Sequence, residues 1–124
     1  MDKQKILIVD DSEMNRALLV DILEGHYDVV EAENGVEAIS LLSKQIADFS
    51  LLLLDIMMPE MDGFEVLAYI NKYHWNDTFA VIIISADDTP ANIKRAYDLG
   101  AFDYISRPFD STIVQRRISN TMFL

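Results

Sequence analysis

Three segments of this chain are unbroken aliphatic runs that end in polar residues: KILIVDD at 5–11, LLLLD at 51–55 and VIIISA at 81–86. A strand with one wet face alternates apolar and polar residues, whereas a continuous run of four or five aliphatics fits a strand buried on both faces, as in a parallel sheet. Parallel strands end along one shared edge, and the crevice at that edge is where such sheets bind ligands. Asp10, Asp11, Asp55 and Ser85 are therefore expected together on that edge. Carboxylates gathered in one place repel one another unless a cation shares them, so the pattern asks for a divalent metal.

Strand and helix signals alternate along the rest of the chain. Ser12 is a candidate N-cap, Met14, Leu18, Leu19, Ile22 and Leu23 recur at helical spacing, and Gly25 closes that helix. A short second strand is expected at 27–32, a turn at Asn34-Gly35, and a second helix with Val36, Ile39 and Leu42 on its apolar side. The third strand ends at Asp55. The loop IMMPEMDG follows, with Pro59 and Gly63 as breakers, before a third helix marked by Phe64, Leu67 and Ile70. The fourth strand covers 80–85, Thr89-Pro90 reads as N-cap and first helical residue, and Gly100 as the residue past that helix. A fifth strand at 102–105 precedes Arg107-Pro108. The last helix starts near Asp110 and carries Ile113, Val114, Ile118 and Met122. This βα alternation predicts an α/β, doubly wound fold with right-handed crossovers and a parallel sheet covered on both faces. We expect one domain over 1–124, with any effector domain absent from this sequence.

The 124 residues suffice for a single core, and 51% hydrophobic with 25% charged residues is an ordinary globular balance. No apolar run approaches the roughly 18 residues of a membrane span, and MDKQKILIVDD is not a signal peptide, so a cytoplasmic protein away from the membrane is expected. The chain has no cysteine, which removes disulfides and thiolate metal sites. Its net charge of −11 would repel a phosphate backbone, so nucleic acid is not an expected partner, and Arg116-Arg117 is too short a basic run to argue otherwise.

Asp10 and Asp11 after the first strand, with Asp55 after the third, supply hard oxygen ligands. These suit Mg²⁺, which keeps several waters and leaves room for a phosphoryl oxygen. Asp55 stands alone before a loop that can open and is the best nucleophile candidate, since a carboxylate can carry a covalent phosphoryl group. Asp10 and Asp11 would hold the metal. One Asp after a strand is usually a turn or cap residue. Three of them, with the Ser85 hydroxyl and the Arg107 guanidinium at the ends of strands four and five, are hard to obtain from caps. His26 and His74 fall in loops away from the set, and Met57, Met58 and Met61 read as loop packing.

The segments ILIVDDSEMNR, LLLLDIMMPEMDGFEVL, VIIISA and GAFDYISRPF resemble, at matching spacing, the receiver domain of bacterial two-component response regulators across essentially the whole chain. The resemblance implies a flavodoxin-like (βα)₅ sheet of order 2-1-3-4-5. It implies that Asp55 accepts a phosphoryl group from a phosphohistidine of a sensor histidine kinase or phosphotransfer protein. Asp10, Asp11, Asp55 and the Met57 backbone carbonyl would surround Mg²⁺, and Ser85 and Tyr104 would form the switch. The surface of helix four, strand five and helix five would be read by an effector domain or a second copy, without turnover of a free substrate.

One departure is Arg107, where the family has Lys. A planar fork prefers bidentate contacts that an ammonium does not make. Arg107 either reaches the phosphoryl oxygens or clamps a carboxylate and locks the site; we expect it to pair with Asp55 in the empty pocket, next to a cis bond to Pro108 that the resemblance implies. Asp87 adds negative charge at the mouth. Two other readings compete: a degenerate receiver that binds partners without phosphorylation, and an aspartate-nucleophile phosphohydrolase. The latter wants D-x-D where this chain has Asp10-Asp11-Ser12, and a lid for which there is no room.

Overall fold

The three aliphatic runs form the centre of one sheet in the computed structural model, which describes residues 3–123. The order of elements is β1 (Lys5–Val9), α1 (Glu13–Leu23), β2 (Asp28–Ala32), α2 (Gly35–Gln45), β3 (Phe49–Leu54), α3 (Gly63–Lys72), β4 (Ala80–Ser85), α4 (Pro90–Asp98), β5 (Asp103–Ser106) and α5 (Ser111–Phe123). Short 3₁₀ turns at Ile46–Asp48 and Trp75–Asp77 lead into β3 and β4. All strand pairs are parallel, and the order across the sheet is β2-β1-β3-β4-β5, the doubly wound arrangement expected.

Burial on both faces follows from the runs. On one face Leu7, Val9, Leu52, Leu54, Val81 and Ile83 pack under α2, α3 and α4, meeting Ala38, Leu42, Phe64, Leu67, Ile70 and Ala96. The alternate residues, Ile6, Ile8, Leu51, Leu53, Ile82 and Ile84, pack against Leu19 and Leu23 of α1 and Val114 and Ile118 of α5. Fully burying a side chain of this size is worth about 1.5–3 kcal/mol, and it fixes register because a one-residue slip would exchange the two faces.

Helices α1, α2 and α5 bury narrower stripes than their apolar spacing predicts. Met14 and Leu18 of α1, Val36 of α2 and Ile113 of α5 are exposed, and α1 and α5 turn only the i, i+4 pairs Leu19/Leu23 and Val114/Ile118 fully to the sheet, whereas α3 buries Phe64, Val66, Leu67 and Ile70. Asn34 caps α2 by accepting from the Glu37 amide, and Gly35 is the first helical residue rather than part of a turn. Thr89 caps α4 with Pro90 at its first position, and Gly100 sits at φ 104° past its end. Gly25 follows α1 without adopting a left-handed backbone, so that helix ends without needing a glycine.

Gly63 is required for a different reason. It opens α3 after Asp62, which forms a capping box with Glu65. A Cβ on Gly63 would lie 2.3 Å from the Asp55 carbonyl oxygen and 2.6 Å from the Ile56 Cα, both backbone atoms. We predict that Gly63→Ala lowers stability by about 1–3 kcal/mol in urea unfolding, the scale of overpacking. Gly25→Ala meets open space and should stay within about 0.5 kcal/mol of the parent protein.

Candidate functional site

The sheet register brings the polar strand ends to one edge. Val9 pairs with Leu54, Leu54 with Ile83, Ile83 with Tyr104, and Ser85 with Ser106. The next residues are held by the same ladder: the Asp55 amide donates to the Val9 carbonyl at 2.9 Å and the Asp10 amide to the Ala32 carbonyl at 3.2 Å. Asp10, Asp11 and Asp55 place carboxylate oxygens within 4.8 Å of one another. Asp10 is 1% exposed and Asp55 4%, while Asp11 is exposed. Three hard oxygen donors at this spacing, two of them buried, fit a small divalent cation that retains waters on its open side.

Arg107 faces the two buried acids of this set. One guanidinium nitrogen, Nη2, donates to Asp10 Oδ2, and the other, Nη1, lies 3.7 Å from Asp55 Oδ1. The expected partner in the empty site was Asp55; the closer one is Asp10. The physical reason is the fork: it spans two carboxylates at once, and Asp10, the more buried of the two, takes the nearer nitrogen. Asp11 forms no ion pair with a described residue. The Arg107 Nε is buried without a hydrogen-bond partner among the described residues. The Arg107-Pro108 bond is cis.

The loop between β4 and α4 connects Ser85 to Tyr104. The Asp87 amide donates to the Ser85 Oγ at 3.1 Å, and the Tyr104 hydroxyl donates to the Asp87 carbonyl. Tyr104 is buried, and that burial raises its phenol pKa above the ordinary value, so it stays a donor. The Asp87 carboxylate is turned to α4, accepting from the Thr89 amide at 3.2 Å and the Asn92 side chain at 2.6 Å. Asp87 is thus a tether as well as a charge.

The structure brings Asp10, Asp11, Asp55 and Arg107 together, with Ser85 and Tyr104 linked through Asp87 beside them. Met57 sits at the rim, its amide 3.4 Å from Asp55 Oδ1 and its side chain 64% exposed, while Met58 is buried and Met61 packs on the core. His26 and His74 lie exposed in αβ connections, at the opposite edge of the sheet. Sequence reasoning missed two contributors, the Asp87 tether and Arg16. The signal for Arg16 was its place one helical turn after Ser12, where a side chain reaches back over the end of β1.

The model of the response regulator receiver domain matches residues 6–119. A chemotaxis protein CheY of Halobacterium salinarum is 36% identical over 96% of this chain and 97% of its own. A CheY homolog of Campylobacter jejuni is 32% identical over 95% and 92%. Among solved structures, the CheX-CheY-BeF₃-Mg²⁺ complex of Borrelia burgdorferi superposes at TM-score 0.91 with 29% identity, covering 99% of this chain and 91% of that one. The chain belongs to the response regulator receiver family.

Burial pushes the Asp55 carboxyl up from 3.8 to about 6; the Asp10 charge adds to this, Arg107 and the Met57 amide oppose it, and Asp11 adds a little more. A raised carboxylate pKa means the folded protein holds the extra proton. The metal-free protein is therefore free of this penalty below pH 3.8, loses stability as pH rises towards about 6, and carries the whole penalty above that. At about 1.4 kcal/mol per pKa unit, Asp55→Asn should be more stable than the parent by about 2–3 kcal/mol at pH 7.5 without metal, and by far less at pH 4. Urea unfolding at the two pH values checks this. Equal stability of the two proteins at pH 7.5 would contradict it.

Proposed function

We propose that this receiver takes a phosphoryl group onto Asp55 from a phosphohistidine of a sensor histidine kinase or phosphotransfer protein and relays the change to an output surface. The observation that carries the reading is the buried Asp10–Asp55 pair, with Asp11 beside it at the mouth and Arg107 bridging the two. In this reading Asp10, Asp11, Asp55 and the Met57 carbonyl hold Mg²⁺. The ion supplies positive charge to the incoming phosphoryl oxygens. An Asp55 carboxylate oxygen attacks phosphorus, forming the O–P bond as the N–P bond breaks, and the imidazole nitrogen leaves with the electron pair. Arg107 moves from the carboxylates to a phosphoryl oxygen, and the Ser85 hydroxyl turns from the Asp87 amide to donate to another.

That turn would loosen the Ser85–Asp87 contact and with it the hold of the loop on Tyr104. Tyr104 is attached to the outer surface as well. Its amide donates to Asp103 Oδ1 at 2.8 Å, and the same oxygen accepts from Arg117 of α5 at 3.0 Å and from the Tyr97 hydroxyl of α4 at 3.2 Å. The α4-β5-α5 face, where Tyr97 and Ile113 are exposed, is the proposed surface for an effector or a second copy. Among the described residues no helix is long and apolar enough to cross a membrane. The proposal is for one receiver domain over 1–124, acting in the cytoplasm without turnover of a free substrate.

The grip of Arg107 on Asp10 favours a second reading, a locked receiver that binds partners unphosphorylated. Intact-mass spectrometry after incubation with acetyl phosphate and Mg²⁺ separates the two. We predict one phosphoryl adduct, absent in Asp55→Asn; no adduct in the parent protein, with partner binding intact, would favour the locked reading.

Arg107 has its own expected outcome. By titration calorimetry with fluoroberyllate and Mg²⁺, Arg107→Ala should bind the phosphoryl mimic about 1.5–3 kcal/mol more weakly, the scale of a hydrogen bond to a charged group. Arg107→Lys should equal or exceed the parent, since a single oxygen suits an ammonium. Equal affinities in all three proteins would make Arg107 a bystander.

A further inference from the structure

We infer that Arg16, outside the pocket, is the positioning residue that holds Asp10 where a divalent cation needs it; this rests on reading Asp10, Asp11 and Asp55 as a cation site. Arg16 lies in the second turn of α1 and is 13% exposed, although it is not part of the core. Its Nη1 donates to the Asp10 backbone carbonyl at 2.6 Å, and its Nε donates to Glu31 Oε1 at 3.1 Å. Glu31 is on β2, directly across from Ile8 of β1. One guanidinium therefore ties together α1, the strand neighbouring β1, and the residue that leaves β1 for the pocket.

The geometry explains why Asp10 needs such a tie. Its amide is the last on that side to join the ladder, donating to Ala32. Beyond that bond the chain turns sharply, and Asp10 Oδ1 accepts from the Ser12 amide at 2.8 Å, so side chain and turn form one rigid unit. That unit is anchored at its carbonyl by Arg16. Asp11 next to it has no such restraint among the described residues. Arg16 thus acts on the cation through Asp10, in the way outer partners orient metal ligands.

Charge and positioning make opposite predictions for this residue. Arg16 is a cation beside a cation site, so its removal by electrostatics alone would tighten Mg²⁺ binding. If it positions Asp10, its removal weakens binding even though a positive charge is lost. Calorimetric titration of the full chain with MgCl₂, at fixed pH and ionic strength, reads the difference. We expect Arg16→Ala to raise the Mg²⁺ Kd by about tenfold, the lower end of outer-partner effects. Arg16→Lys, which keeps the charge and one donor but cannot span both partners, should fall between it and the parent. Should Arg16→Ala fail to fold, Arg16→Lys carries the test, because charge alone predicts no change in it. A variant that folds and binds Mg²⁺ as tightly as the parent, or more tightly, overturns the inference whatever its stability. A parent protein that does not bind Mg²⁺ overturns the cation-site reading beneath it, a failure seen before any substitution is made.

Discussion

Repulsion among carboxylates at the ends of buried strands is the constraint from which the rest of this pocket follows. The fold generates it: parallel strands that are apolar to their last residue deliver the next residues to one edge, so Asp10 and Asp55 emerge from the core only a few ångströms apart. Burial first and the Asp10 charge second hold the Asp55 pKa up at about 6, against the opposing pull of Arg107 and the Met57 amide. In the structure the strain is relieved by Arg107, whose two terminal nitrogens face the two buried acids. A cation shared by all three acids would relieve it differently. In the proposed account these two solutions exclude one another at Asp10, and the protein works by exchanging them.

The same logic separates rigid from movable parts. Asp10 is fixed at its amide, carbonyl and both carboxylate oxygens, by Ala32, Arg16, Ser12 and Arg107. Asp55 is fixed by the ladder and by Gly63, whose missing Cβ lets α3 start against its carbonyl. Ser85 of β4 and Tyr104 of β5 are joined by single hydrogen bonds through the backbone of Asp87, on the loop between β4 and α4, and each of these bonds can be exchanged.

Most of the fold was legible in the sequence because its signal was strong and local. Four-residue aliphatic runs, Thr89-Pro90 at a helix start and Gly100 at a helix end each have one physical meaning, and the structure gives them that meaning. The helix faces were legible only in part. Apolar spacing shows that Met14, Leu18, Leu19 and Leu23 share a helix, but which of them touches the sheet depends on how the helix is rolled, which no local pattern encodes. The gathering of Asp10, Asp11, Asp55 and Arg107 followed from strand ends alone. The partner of Arg107 did not, because a long side chain with two donors chooses among acids by distances of about an ångström. Arg16 was only weakly marked, by its place one turn after Ser12: it binds a backbone carbonyl, and nothing in a residue's identity marks its carbonyl as needing a partner.

A high-resolution crystal structure of the protein grown with Mg²⁺ tests the central claim most directly. The account predicts an ion held by Asp10, Asp11, Asp55 and the Met57 carbonyl, with the Arg107 guanidinium gone from Asp10 and the Arg16 contact to the Asp10 carbonyl unchanged. An Arg107 still paired with Asp10 and no ion among the three carboxylates, at a Mg²⁺ concentration that saturates the protein in solution, would contradict it.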